Sequence, residues 1–137
     1  MSKKNQNQKL RLIFHPFLHH IFRGRINQMD NCIFCKIIKK EIPKEYHYED
    51  DFIIVINDIN PMASTHLLFI SKEHIKDFTE MNNDSVLLSV KKAIQEQIQK
   101  NELMGKGYKI VVNGGGAQFV DHLHFHLIGP IGSNAAV

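Results

Sequence analysis

The sequence predicts an α+β fold built on a mostly antiparallel sheet. Strand-like segments occur in consecutive pairs, and the helical segments fall between those pairs rather than after every strand. The third observation is the run "DHLHFHLIGP", Asp121 to Pro130, which alternates polar and apolar residues without a break. Successive side chains on a strand point to opposite faces, so Leu123, Phe125 and Leu127 would face a core and His122, His124 and His126 the other side.

Length and charge bound what surrounds that sheet. The chain has 137 residues, 43% of them hydrophobic and 23% charged, which suits one domain with a sizeable core. Residues 1–28 hold six of the 17 basic residues and no acid, leaving 11 bases against 14 acids, a net −3, over residues 29–137. We read 1–28 as a basic N-terminal extension, or as residues upstream of a start at Met29, and 29–137 as the domain. Its apolar patch is interrupted by His15, Pro16, His19 and His20 and lacks a small-residue cleavage site, unlike a secretory signal. The domain offers no electrostatic case for nucleic-acid binding, and no run reaches the roughly 18 apolar residues of a membrane span. A cytoplasmic protein without nucleic-acid or membrane partners is expected.

After Met29 the elements follow in order. "CIFCKIIKKEI" places Ile33, Phe34, Ile37 and Ile38 at helical spacing and stops before Pro43, predicting a short helix. "EYHYED" and "DFIIVIND" read as strands joined by a turn at Glu49 to Asp51. "INPMAST" is a loop, "HLLFI" a third strand, and "SKEHIKDFTEM" holds a short helix. Asn83 or Asp84 caps a long helix, in which Val86, Leu87, Val90, Ile94 and Ile98 recur at spacings of three and four until Gly105 and Gly107 end it. "YKIVVN" is the fourth strand, "GGGA" a tight turn, and "FVDHLHFHLIG" the fifth strand.

Two features carry chemistry. Alternate imidazoles on a strand stand roughly 6.5–7 Å apart, in a row. Imidazole serves as nucleophile, proton carrier or metal ligand near neutral pH. A solvent-facing strand usually mixes Lys, Glu, Thr and Ser, whereas here histidine alone fills the polar positions. The second feature is "CIFC", with the only two cysteines, Cys32 and Cys35. The spacing reads as metal or redox; the redox reading wants a thioredoxin-like βαβ context, which is not visible, and zinc needs two further ligands.

"HLHFHLI" resembles the His-φ-His-φ-His-φ-φ motif of the histidine triad family, where φ is apolar. "CIFCKIIKKEIPKEYHYEDD", "INDINPMASTHLLFISKEHI" and "GYKIVVNGGG" are similar to the blocks that precede the motif there, in the same order, from Cys32 to Gly129. The resemblance implies a five-stranded antiparallel sheet with one short and one long helix, a homodimer, and a site for a purine nucleotide of the AMP type. It implies hydrolysis at the α-phosphate of a nucleoside monophosphate derivative, phosphoramidates first. Dinucleoside polyphosphate hydrolysis, or a non-catalytic nucleotide-binding module, are the alternatives.

The same resemblance assigns residues. His124 would be the nucleophile, forming a nucleotidyl-histidine; His126 would meet the phosphate, His66 would stand near the leaving group, and His122, the first triad member, would complete the catalytic set. Asp58 would hold the ribose hydroxyls, whose diol suits two carboxylate oxygens. Ile33, Phe34, Ile37, Ile56 and Ile59 would line the base slot or, read without the family, simply the core. Asn113, Gln118 and the amides of "GGGAQ" would lie at the phosphate. Some branches carry a structural zinc on CxxC and two histidines, matched here by Cys32, Cys35, His74 and His122. Val86, Leu87, Val90 and "YKIVV" would supply the dimer interface. Two departures stand out. Phe119 occupies a position where the family has Ser or Thr, and the loop from Asn113 to Gln118 is about two residues shorter. Strict alternation would turn Phe119 into the core, while a bulge after the glycines would turn it towards the site mouth.

Overall fold

The structure, a computed structural model, describes residues 31–137, so the expectations for the basic segment 1–28 and for Met29 lie outside the described residues. Helix α1 (Ile33–Ile38) buries Phe34, Cys35 and Ile37. Strands β1 (Tyr48–Glu49), β2 (Ile53–Asn57) and β3 (Thr65–Ser71) follow, then a 3₁₀ turn (Phe78–Glu80), helix α2 (Asp84–Lys100), and strands β4 (Lys109–Val112) and β5 (His124–Gly129). The strands form one sheet in the order β1-β2-β3-β5-β4, every pair antiparallel. The expected α+β class, five-stranded sheet and pair of helices are all present. Among the described residues no helix is long and apolar enough to cross a membrane.

Local chemistry explains the turns. Asp50 closes the β1–β2 connection by accepting the backbone N–H groups of Phe52 at 2.7 Å and Ile53 at 2.9 Å. Asn83 is the N-cap of α2, its side chain accepting from the Ser85 N–H at 2.9 Å. The C-terminus departs from expectation: α2 stops at Lys100, ahead of both glycines. Glu102 takes the left-handed conformation (φ 55°), its N–H meets the Gln99 carbonyl, and the Leu103 N–H meets that of Ile98. This is a Schellman cap without glycine. Placing Glu102 at positive φ costs about 1–2 kcal/mol, while burying Leu103, 1% exposed, returns about 1.5–3 kcal/mol. Packing of Leu103 therefore outweighs the glycine signal.

One face of the sheet builds the core. Ile53 and Val55, Leu67 and Phe69, and Leu123, Phe125 and Leu127 meet Val86, Val90, Ala93, Ile94 and Ile98 of α2. The register sets Phe69 opposite both Val55 and Phe125, and Leu67 opposite Leu127, so the expected parity of β5 holds. The other face presents Ile54, Ile56, Leu68 and Ile70, with His124 opposite Ile70 and His126 opposite Leu68. On this face Phe34 of α1 meets the rings of His122 and His124 edge-on.

Three expectations need correction. The fifth strand begins at His124, not Phe119, because the His122 N–H turns back to the Val120 carbonyl and the Leu123 N–H pairs with Ile75. The helix expected in "SKEHIKDFTEM" is only the 3₁₀ turn, opened by Asp77. Val86 and Val90 are core residues, each 2% exposed, so they offer nothing to a partner; of the three helix positions only Leu87 is exposed.

Candidate active site and metal centre

β5 lays down the chemistry, and backbone groups set the protonation of His124, His122 and His66. Ring protons follow from hydrogen-bond partners. His124 stands 2.6 Å from the His122 carbonyl through Nδ1, which must therefore carry the proton. Its Nε2 is left with a lone pair. Burial pushes His124 below the usual histidine range, opposed by that same hydrogen bond. The ring is neutral near pH 7, as a nucleophile requires. Phe34 of α1 stands edge-on to it at 5.0 Å between centroids.

The second set comprises His66, Asp58 and His126. The Met62 N–H donates to His66 Nδ1 at 3.0 Å, so the His66 proton sits on Nε2. That proton faces two acceptors, His126 Nδ1 at 2.9 Å and Asp58 Oδ2 at 3.1 Å. His126 accepts on Nδ1 and so carries its own proton on Nε2, making it a neutral donor. Burial, with His124 and His66 alongside, lowers His126 to about 4. Asp58 also caps the loop, its Oδ1 accepting from the Asn60 N–H at 2.8 Å. The carboxylate expected on a ribose is thus in direct contact with His66.

The metal ligands converge as expected. Ligand atoms of Cys32, Cys35, His74 and His122 all lie within 4.8 Å of one another, three of the four residues being buried. His74 and His122 approach Nδ1 to Nδ1 at 3.1 Å, and Cys35 Sγ lies 3.2 Å from the former and 3.5 Å from the latter. Donors around a tetrahedral zinc stand about 3.3 Å (N···N) and about 3.5 Å (N···S) apart, so this spacing fits the ion. His122 Nε2 lies 2.6 Å from the Ser71 carbonyl and holds its proton there, turning Nδ1 towards the cluster as a bare donor. Burial lowers His122 to about 4, which keeps that lone pair available. Asp58, His66 and His126 are equally close-set. The Met62 N–H makes the difference: it occupies His66 Nδ1 and keeps the proton on Nε2, where a metal would need the lone pair. That group is a hydrogen-bonded array.

The remaining expected residues divide. Ile33 (48% exposed) and Ile59 (82%) are open to a ligand, whereas Phe34, Ile37 and Ile56 are buried. Asn113 is exposed. The glycine loop behaves differently from expectation: Gly115 N–H donates to Asp77 Oδ1 at 2.7 Å, Gly116 N–H to Gln118 Oε1 at 3.0 Å, and Ala117 N–H to the Gly114 carbonyl at 3.2 Å. These three amides are engaged within the protein. Gln118 is nearly buried and braces the loop, donating to the Lys76 carbonyl at 3.0 Å. Phe119 is fully exposed, at 102%, which excludes the core orientation. Sequence reasoning missed Asp77, Met62 and Ser71. Asp77 had a signal, the Asp-Phe-Thr spacing of a cap; the other two reach the histidines through backbone atoms.

A family profile described as "Scavenger mRNA decapping enzyme C-term binding" matches residues 31–136. Among curated proteins, Protein HitA of Neisseria gonorrhoeae is 41% identical over 104 residues, spanning 74% of this chain and 97% of that protein. The 14 kDa zinc-binding protein of Zea mays is 38% identical over 102 residues, spanning 71% of this chain and 80% of that protein. Among solved structures, a HIT family hydrolase from Clostridium thermocellum superposes with a TM-score of 0.73 at 42% identity, covering 78% of this chain and 96% of that one. A zinc-bound histidine triad family protein from Mycobacterium smegmatis superposes with a TM-score of 0.63 at 32% identity, over 73% of this chain and 75% of that one.

Proposed function

This chain belongs to the histidine triad family, and from that premise we propose that it hydrolyses purine nucleoside phosphoramidates at the α-phosphate. The observation that carries the reading is the His124 Nδ1 contact with the His122 carbonyl at 2.6 Å, which presents a bare Nε2 beside the His126 donor. The two rings lie 5.0 Å apart between centroids. In the first step His124 Nε2 forms a bond to phosphorus while the P–N bond breaks, and the amine leaves with that electron pair and a solvent proton. His126 Nε2–H hydrogen-bonds a phosphoryl oxygen as negative charge builds there. In the second step water forms the P–O bond and gives up a proton to solvent, the P–Nε2 bond breaks with its electron pair returning to Nε2, and AMP and neutral His124 are released.

Exposed Ile33 and Ile59 give a purine base its apolar contacts, and Asp58 retains lone pairs for a ribose hydroxyl. Cys32, Cys35, His74 and His122 hold zinc as a structural ion; a closed four-ligand site supplies rigidity and no open coordination position. We also infer a homodimer through β4, an edge strand whose Ile110 and Val112 are exposed, as is Tyr108 just before it. A light-scattering mass of one 15.8 kDa chain at micromolar concentration would overturn that inference.

The test of the reaction is AMP release from an adenosine phosphoramidate by the wild type and by His124→Gly. Loss of release in the variant alone supports the proposal. The exposed ring of Phe119, where a hydroxyl would be expected, favours the second reading, a non-catalytic nucleotide-binding module. That reading prevails if both proteins are inactive and both bind AMP. Faster cleavage of a dinucleoside polyphosphate than of the phosphoramidate would instead move the substrate class.

A further inference from the structure

We propose that Asp77 is the positioning residue of the glycine loop, fixing Gly114–Ala117 as a preformed wall of the nucleotide site. The inference rests on the reading of that loop as the phosphate side of the site. Asp77 reaches it from 38 residues away in sequence, across no shared element. Its Oδ1 takes the Gly115 N–H at 2.7 Å, while Oδ2 is held by the Thr79 N–H at 3.0 Å and its hydroxyl at 2.6 Å. A carboxylate gripped on both oxygens is a fixed acceptor. The loop's composition follows from it. A Cβ at Gly114 would stand 3.1 Å from Asp77 Oδ1, close enough that the carboxylate would have to yield by a few tenths of an ångström, and Gly115 and Gly116 both take positive φ (65° and 94°).

The neighbouring residue completes the hold. The Lys76 carbonyl accepts from Gln118 Nε2, whose Oε1 takes the Gly116 N–H, so two successive residues of one strap secure two successive amides. The Ile75 carbonyl takes the Leu123 N–H at 2.6 Å just before β5, so the strap fixes the loop and the start of the histidine strand in one frame. Two consequences follow for a bound nucleotide. Loop amides turned inward leave the phosphate to side chains such as His126. A wall ordered in advance spares the substrate the entropy of ordering it.

Asp77→Ala separates this from its opposite, in which Asp77 merely masks a donor that a phosphate would otherwise use. Positioning predicts that KM for the phosphoramidate rises about threefold to tenfold, with kcat changed less than about twofold. Amide exchange at Gly115 and Gly116, read by NMR, accelerates at least about tenfold. Asp77→Asn keeps one acceptor oxygen where Gly115 and Thr79 ask for two, and its amide nitrogen meets an N–H donor, so KM and protection should fall between those of Asp77→Ala and wild type. A lower KM in Asp77→Ala, or unchanged exchange at Gly115, overturns the proposal. Should the wild type release no AMP, the exchange measurement and AMP titration of the same variants still decide the role of Asp77, independently of the reaction.

Discussion

His122 and His124 are joined twice over: they are two residues apart on one chain, and the carbonyl of the first accepts the ring proton of the second at 2.6 Å. The first ring faces the cluster of candidate zinc ligands and the second the proposed nucleotide site. A candidate ligand residue therefore holds the orientation of the proposed nucleophile through its own backbone.

His124→Gly should lower AMP release from an adenosine phosphoramidate by at least about a thousandfold, since the covalent route is lost. AMP binding, followed by calorimetry, should change little. A residual rate within about tenfold of wild type would mean that another group attacks phosphorus.

Acid should stop the reaction below the ordinary histidine range. His124 is depressed by burial and His126 lies at about 4, so both are neutral at neutral pH and His126 remains so well into the acidic range. The kcat/KM profile should be flat near neutrality and fall on acidification, with its midpoint below about 6.5, the usual imidazole value. Stability follows the same sign. Between about 6.5 and about 4 the unfolded chain takes up a proton that folded His126 refuses, so stability falls as pH drops through that window and is level above it. Thermal melts at pH 7 and pH 5 check it; a higher Tm at pH 5 contradicts it.

Metal analysis should find one zinc per chain in the wild type and none in Cys35→Ser or in His74→Ala. Each variant should melt at least about 10 °C lower, in keeping with the few kcal/mol that a tightly held structural ion contributes to a domain of this size. Equal zinc content in wild type and both variants would place the metal elsewhere.

Phe119→Ser should accelerate turnover. A hydroxyl at that position would supply one donor to the phosphate or leaving group, and such donors are worth roughly a hundredfold to a thousandfold in rate. Because the ring is fully exposed, its removal should leave Tm within about 2 °C of wild type. Side-by-side kcat, AMP affinity and Tm test this. Unchanged kcat would show that a side chain at 119 does not reach the reacting groups.

What the sequence revealed was local or periodic. Leu123, Phe125 and Leu127 declared their face by alternation, and Asn83 its cap by preceding an amphipathic run. Cys32 and Cys35 pointed to metal by spacing, but His74 and His122 joined them only through resemblance, because no local pattern links residues 39 and 87 positions away from Cys35. The end of α2 was misread because Gly105 and Gly107 signal a stop that the burial of Leu103 had already imposed. The hydrogen-bond partners of the loop amides were not legible either. Glycines reveal that a backbone is free to bend, and nothing in "GGGAQ" tells that its N–H groups turn inward to Asp77 and Gln118.

Three rings here owe their proton placement to main-chain atoms: His124 to the carbonyl of residue 122, His122 to that of residue 71, and His66 to the amide of residue 62. Side-chain replacement deletes none of these partners. An alanine scan would pass over position 62, and at position 71 it would report the loss of the buried Ser71 hydroxyl, which donates to the Glu73 carbonyl at 2.7 Å, rather than of the carbonyl that orients His122. Such settings are inherited with the trace of the backbone and persist while the surrounding side chains drift. Only exchange of a peptide bond for an ester, removing the N–H of residue 62, would let the His66 proton move to the other nitrogen and turn a hydrogen-bonded array into a place where a metal could bind.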